Sequence, residues 1–233
     1  MTVPRNIPWR MLVMATLVIV GVLLAGWQIK GFMTRNPQIP QEIKALQESQ
    51  PDLVGVLLPT PRELKPFTLT DHEERAFTLD QLKGQWTFLF FGYTHCPDVC
   101  PVSMGALAEV WTLLQSTSNG LKNVRGVFVS VDPDRDTLPH LKEYVGYFHP
   151  DFLGVTGTHE TIRGFAKQLG AYYSLPEKKE GSDSSEQTIS HTSVFFLLDP
   201  EGRFAAMFQP QMHMPARVAE LFVKIRQFYG EKP

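Results

Sequence analysis

The stretch FGYTHCPDVCP holds Cys96 and Cys100, the only two cysteines among 233 residues. Pro97, Asp98 and Val99 separate them, and Pro101 follows. Two chemistries need thiols this close: a redox pair that makes and breaks a disulfide, or two thiolates on a soft metal. If Cys100 lies in the first turn of a helix, a spacing of four turns both sulfurs to one face. Either chemistry then becomes geometrically open. Two cysteines cannot build a disulfide framework, so the fold itself must rest on an apolar core.

Thioredoxin-type redox pairs place two residues between their cysteines; here there are three. Thiolates select Cu(I) among the biological metals, and imidazole is the natural nitrogen partner. Two sulfurs and one nitrogen suit Cu(I) and leave it open to transfer, whereas zinc usually takes a fourth ligand. Seven histidines could supply the nitrogen. His72, His140, His149 and His159 read as surface residues near turns and helix ends. His95 adjoins Cys96 and can tune the pair without binding metal. His213 sits in Met212-His213-Met214, a run of soft-ligand types that also reads as an ordinary loop. His191 stands before an apolar run, where it is either a ligand or a capping or surface residue. The residues alone leave that choice open.

The elements that must position these side chains follow from periodicity. FTLTDHEERAFTLDQL, from Phe67, reads as two short strands around a polar turn. WTFLFFGY is a continuous apolar run suited to a central strand buried on both faces. The cysteines follow it, then MGALAEVWTLLQ with helical spacing. RGVFVSVD reads as a second buried strand, LPHLKEYVGYF as a helix, FLGVTG as a strand, and HETIRGFAKQLG as a helix ending on Gly170. TSVFFLLD and RFAAMFQ form a hairpin about Pro200-Glu201-Gly202. PARVAELFVKIRQFYG is a closing helix opened by Pro215. Such an alternation makes an α/β domain with a mixed sheet, and this order is that of a thioredoxin-like fold. The cysteines then lie where a central strand passes into a helix, at the sheet edge where reactive groups gather. The helix N-terminus is expected to lower one thiol pKa, and the pair to close to an intramolecular disulfide without global rearrangement. The segment from Leu175 to Ser190 is the most polar, reads as flexible, and ends on His191.

The net charge of −2 carries no basic block, which argues against a nucleic-acid partner. Apolar residues make up 43% of the chain, enough for a full core. MLVMATLVIVGVLLAGW, Met11 to Trp27, lacks any charge and approaches the ~20 residues that span a bilayer. Trp9 and Trp27 stand at its ends, where interfacial aromatics are favoured. Ala25-Gly26-Trp27 is a poor cleavage site, so an uncleaved anchor is expected rather than a signal peptide. The expected organisation is residues 1–30 as membrane anchor, 31–62 as a Pro- and Gln-rich tether with a short helix at Gln41 to Glu48, and 63–233 as the domain.

FFGYTHCPDVCP, SVDPDRDTLPHLKEYVGYF and HTSVFFLLDPEGRF, in this order, resemble the Sco/SenC family of membrane-tethered copper chaperones. The resemblance runs from about Phe67 to the last helix, together with the N-terminal anchor. It implies a thioredoxin-like fold and copper, as Cu(I) or Cu(II), held by Cys96, Cys100 and His191. It also implies delivery to the CuA-bearing subunit of cytochrome c oxidase, with other copper-donor chaperones as partners. Where many members carry an acidic residue before that histidine, this chain has Ser190. A single-pass protein of the inner (cytoplasmic) membrane, its domain facing the periplasm, is the expected setting; the mitochondrial inner membrane is the alternative. Asp132 to Thr137, DPDRDT, can be a turn in which Asp136 or Thr137 caps the next helix, or can orient the site and dock a partner. The rival functions are a thiol–disulfide oxidoreductase acting on a copper-site apoprotein and, more distantly, a peroxiredoxin-like peroxidase.

Overall fold

The computed structural model describes residues 41–117, 122–174, 189–209 and 214–230. The compact unit that carries the site is Ala45–Pro233. A helix α1 (Gln41–Ser49) is followed by strands β1 (Leu57–Arg62), β2 (Leu69–Asp71), β3 (Ala76–Phe77) and β4 (Trp86–Gly92). Then come α2 (Val99–Gln115), β5 (Val124–Ser130), α3 (Leu138–Phe148), β6 (Leu153–Thr156) and α4 (His159–Leu169). The short strands β7 (Tyr173–Ser174) and β8 (Ser190–His191) precede β9 (Phe195–Leu198), β10 (Phe204–Phe208) and α5 (Pro215–Phe228).

Eight strands form one sheet in the order β1-β10-β9-β4-β5-β6-β2-β3. β4, β5 and β6 are parallel to one another, and the remaining pairs are antiparallel. All seven residues of β4 are buried, as a central strand covered on both faces requires. On one face Phe88 meets Trp111 of α2 and Phe222 of α5, and Phe128 beside it meets Tyr144 of α3. On the other, Phe91 meets Phe165 of α4. Each such ring contributes about 1.5–3 kcal/mol by leaving water. The mixed α/β sheet with helices on both faces agrees with the thioredoxin-like expectation.

The sheet begins earlier than expected. Leu57–Arg62, assigned above to the tether, is a strand paired with β10. Pro59 and Pro61 disguise it, since proline donates nothing to a ladder. They are tolerated because, among the described residues, β1 stands at an edge of the sheet. The second unforeseen feature is the β7–β8 ribbon, which lies outside the main sheet and pairs Tyr173 with His191 and Ser174 with Ser190. His191 therefore belongs to its own two-residue strand, not to the start of β9.

The two short hairpins share one solution. Asp71 accepts the N–H groups of Glu73 and Arg75, and Asp199 those of Glu201 and Arg203. In both, the arginine Nε returns to the same carboxylate. The expected span, residues 11–29, lies outside the described residues. Among the described residues no helix is long and apolar enough to cross a membrane.

Candidate metal centre

β4 delivers the chain to the site and α2 takes it away. The helix begins at Val99, so Cys100 lies in its first turn, and Cys96 occupies the turn before it. That turn is held by the Cys96 N–H, which donates to the Tyr93 carbonyl at 3.2 Å. Cys100 is wholly buried and Cys96 is 8% exposed; both are free thiols. Gly92 makes room for this arrangement. A side-chain carbon there would stand 2.8 Å from the Phe128 ring and 2.9 Å from Cys100 Sγ. Contacts that short force a buried side chain to move.

His191 completes the group, although 91 residues separate it from Cys100. Its Nε2 lies 3.1 Å from Cys100 Sγ. Ligand atoms of Cys96, Cys100 and His191 all fall within 4.8 Å of one another. The imidazole stands edge-on to Phe90 and Tyr93, with centroids 5.9 and 6.0 Å away. Its Nδ1 is 3.4 Å from the Thr192 carbonyl. A proton donated there leaves the Nε2 lone pair facing the thiols. Burial lowers the His191 pKa, with the Thr192 carbonyl opposing, so the ring is the neutral form that can donate to a metal.

At Cys100 the expected lowering of a thiol pKa is not found. The helix N-terminus does not lower the Cys100 pKa; burial pushes it up, and only a backbone hydrogen bond from Tyr93 pulls the other way among the main causes. A partial positive charge at a helix end is weaker than the loss of water around a fully enclosed thiol. Cys100 is thus a protonated thiol until something replaces its proton. A soft cation bound to the sulfur would release that proton.

Two sulfurs and a neutral nitrogen, converging in an apolar setting, fit a soft monovalent ion better than a hard one. Three further groups, His95, Asp132 and Asp136, also converge within 4.8 Å. They do not have the character of a cation site. Asp136 is already occupied by the Thr94 N–H at 2.9 Å, the Thr94 hydroxyl at 2.6 Å, the Ser130 hydroxyl at 2.6 Å and His95 Nδ1 at 3.3 Å. Asp132 is paired with the Arg135 guanidinium, which would repel an arriving cation. The DPDRDT element therefore divides its labour. Thr137 caps α3 by accepting the His140 N–H, while Asp136 anchors the turn that leads to Cys96.

The remaining histidines separate as well. His72 was expected at the surface but is half-buried, because its Nδ1 accepts the Gly154 N–H at 3.1 Å between two strands. His149 likewise is only partly exposed, accepting the Asp151 N–H and packing on Phe152. His140 is exposed, and its ring lies 5.5 Å from that of His95. His159 is partly exposed and reaches Asp134. Met212 and His213 lie outside the described residues; Met214 is exposed at the start of α5.

The family profile described as SCO1/SenC matches residues 58–226, a stretch that contains Cys96, Cys100 and His191. The chain belongs to the SCO1/SenC family. Its similarity to the human "Protein SCO1 homolog, mitochondrial" is 32% identity over 205 residues, covering 88% of this chain and 62% of that protein. To the Saccharomyces cerevisiae "Protein SCO2, mitochondrial" it is 37% over 139 residues, covering 60% of this chain and 45% of the other. The chain spans about half the length of several curated relatives it matches. Among solved structures, Arabidopsis thaliana ScoI with copper bound is 34% identical, with TM-score 0.64. The likeness covers 71% of this chain and 98% of that one. Bradyrhizobium japonicum ScoI with copper bound is 35% identical with TM-score 0.58, covering 69% and 98% respectively. SCO1/SenC relatives have thus been solved with copper in place.

Proposed function

We propose that this chain is a membrane-anchored copper chaperone that carries one copper ion on Cys96, Cys100 and His191. The observation that carries this reading is the convergence of two free thiols with a neutral imidazole, Cys100 Sγ to His191 Nε2 being 3.1 Å. Resemblance to the Sco/SenC copper chaperones extends it to the recipient, the CuA site of cytochrome c oxidase. Residues 11–29 serve as the anchor and hold the domain on the periplasmic side of the inner membrane.

Each ligand has its own task. The thiolates give softness and, being carried on one turn, stay together. His191, on a two-residue strand outside the main sheet, is the donor best able to leave while a recipient's ligands enter. The same thiols support a second reading, in which they reduce the recipient. Cys96 and Cys100 would give two electrons and two protons to a recipient disulfide, becoming a disulfide as the recipient becomes a dithiol. The greater exposure of Cys96, which lets it attack first, favours keeping this step beside the first.

Replacing His191 by Ala separates the two. The variant should retain copper at least about ten-fold less tightly in competition with a Cu(I) chelator, while its thiols still oxidise and re-reduce as in the parent. Wild-type retention in the variant would remove the imidazole from the ligand set and leave thiol exchange as the function.

A further inference from the structure

Tyr93 takes no part in either reading above, yet it touches every component of the site. It follows β4 directly and is only 1% exposed. Its backbone serves both cysteines: the carbonyl accepts the Cys96 N–H at 3.2 Å, and a backbone hydrogen bond from Tyr93 opposes the rise of the Cys100 pKa. Its side chain faces the site too, meeting the Cys96 thiol, and reaches on to the histidine strand. The hydroxyl accepts the N–H of Ile189 at 3.3 Å, across 96 residues of sequence. The ring stands perpendicular to His191, with centroids 6.0 Å apart, and the Arg135 guanidinium lies 5.7 Å over its centroid.

The strand that carries His191 has few other ties. β8 is two residues long and, among the described residues, pairs only with β7. Beyond it, the Thr192 N–H donates to the Tyr172 carbonyl at 2.8 Å. On the N-terminal side Ile189 is itself buried, so its N–H needs an internal acceptor or carries a desolvation cost. The Tyr93 hydroxyl is that acceptor. One residue thus joins, through backbone and side chain, the cysteine turn to the histidine strand.

We propose that Tyr93 is a positioning residue that latches the His191 strand onto the cysteine turn, so that the imidazole is already aimed at the thiols when the metal arrives. The metal arm of this inference rests on the copper reading; the latch itself does not. Tyr93→Phe is the appropriate test, because it removes the hydroxyl and keeps the ring on His191.

In the metal-free full chain, amide exchange at Ile189 should quicken about five-fold, as expected for losing one hydrogen bond, with β4 and β5 unchanged. In the Cu(I)-loaded chain, release to a chelator should quicken by a similar factor. In a His191→Ala background, adding Tyr93→Phe should change release less than about two-fold, since nothing remains to be aimed. Unchanged exchange at Ile189, or equal acceleration in both backgrounds, would overturn the latch. If the parent chain retained no copper, the copper reading would fail, and the exchange measurement would still decide on the latch.

Discussion

Cys100→Ser should abolish tight copper binding and leave the fold standing. The sulfur lies 3.1 Å from His191 Nε2, and a hydroxyl in its place is a hard oxygen with little affinity for Cu(I). Loss of groups that merely orient a ligand lowers metal affinity by about 10–100-fold, so loss of a ligand should exceed about 100-fold. The fold tolerates the change for a local reason. The site of the substitution faces His191 Nε2 at hydrogen-bond distance, so the new hydroxyl has a partner and is not stranded in the core. Competition titration of the reduced full chain with a chromophoric Cu(I) chelator measures the affinity, and circular dichroism reports the fold. Retained affinity in this variant would mean that the metal sits elsewhere.

Asp136→Ala should be the most destabilising change near the site. Its carboxylate is fully buried and receives the Thr94 N–H, the Thr94 hydroxyl and the Ser130 hydroxyl, with His95 at its edge. Truncation leaves those donors without their acceptor. Hydrogen bonds to a charged group contribute about 1.5–3 kcal/mol, and the neighbours can relax in part, so a net loss of about 3 kcal/mol is expected. For a unit of this size that lowers the melting temperature by roughly 6–12 °C. Thr94 lies two residues before Cys96, so the same variant should also weaken copper binding by about 10–100-fold. Thermal unfolding of the metal-free chain and the chelator titration measure the two effects separately. A melting temperature within about 2 °C of the parent would show that Asp136 does not anchor the turn.

Much of the scaffold was legible because it depends on long, one-sided signals. The run at β4 could be placed centrally since a stretch this apolar, with no charged residue, suits a strand covered on both faces. Gly170 at the end of α4 and Pro215 at the start of α5 marked their boundaries by backbone geometry. β1 was hidden by its two prolines, which are compatible with a strand only at a sheet edge, and edges are a property of the assembled fold. The β7–β8 ribbon is too short to show any period.

The site divides in the same way. Cys96 and Cys100 were legible from residue type and spacing. His191 stood out for following a polar segment and preceding an apolar run, but the choice between ligand and surface residue needed the family resemblance. Asp136 and Tyr93 act through partners 42 and 96 residues away, contacts that no local pattern encodes. The rise of the Cys100 pKa was not legible either, because it comes from burial, which no local pattern encodes.

The most direct measurement is X-ray absorption at the copper edge of the reduced full chain loaded with one equivalent of Cu(I). The ligand set Cys96, Cys100 and His191 predicts two sulfur neighbours and one imidazole nitrogen, with the nitrogen signal lost in His191→Ala. A nitrogen signal that survives that substitution, or a first coordination sphere with fewer than two sulfurs, would contradict it.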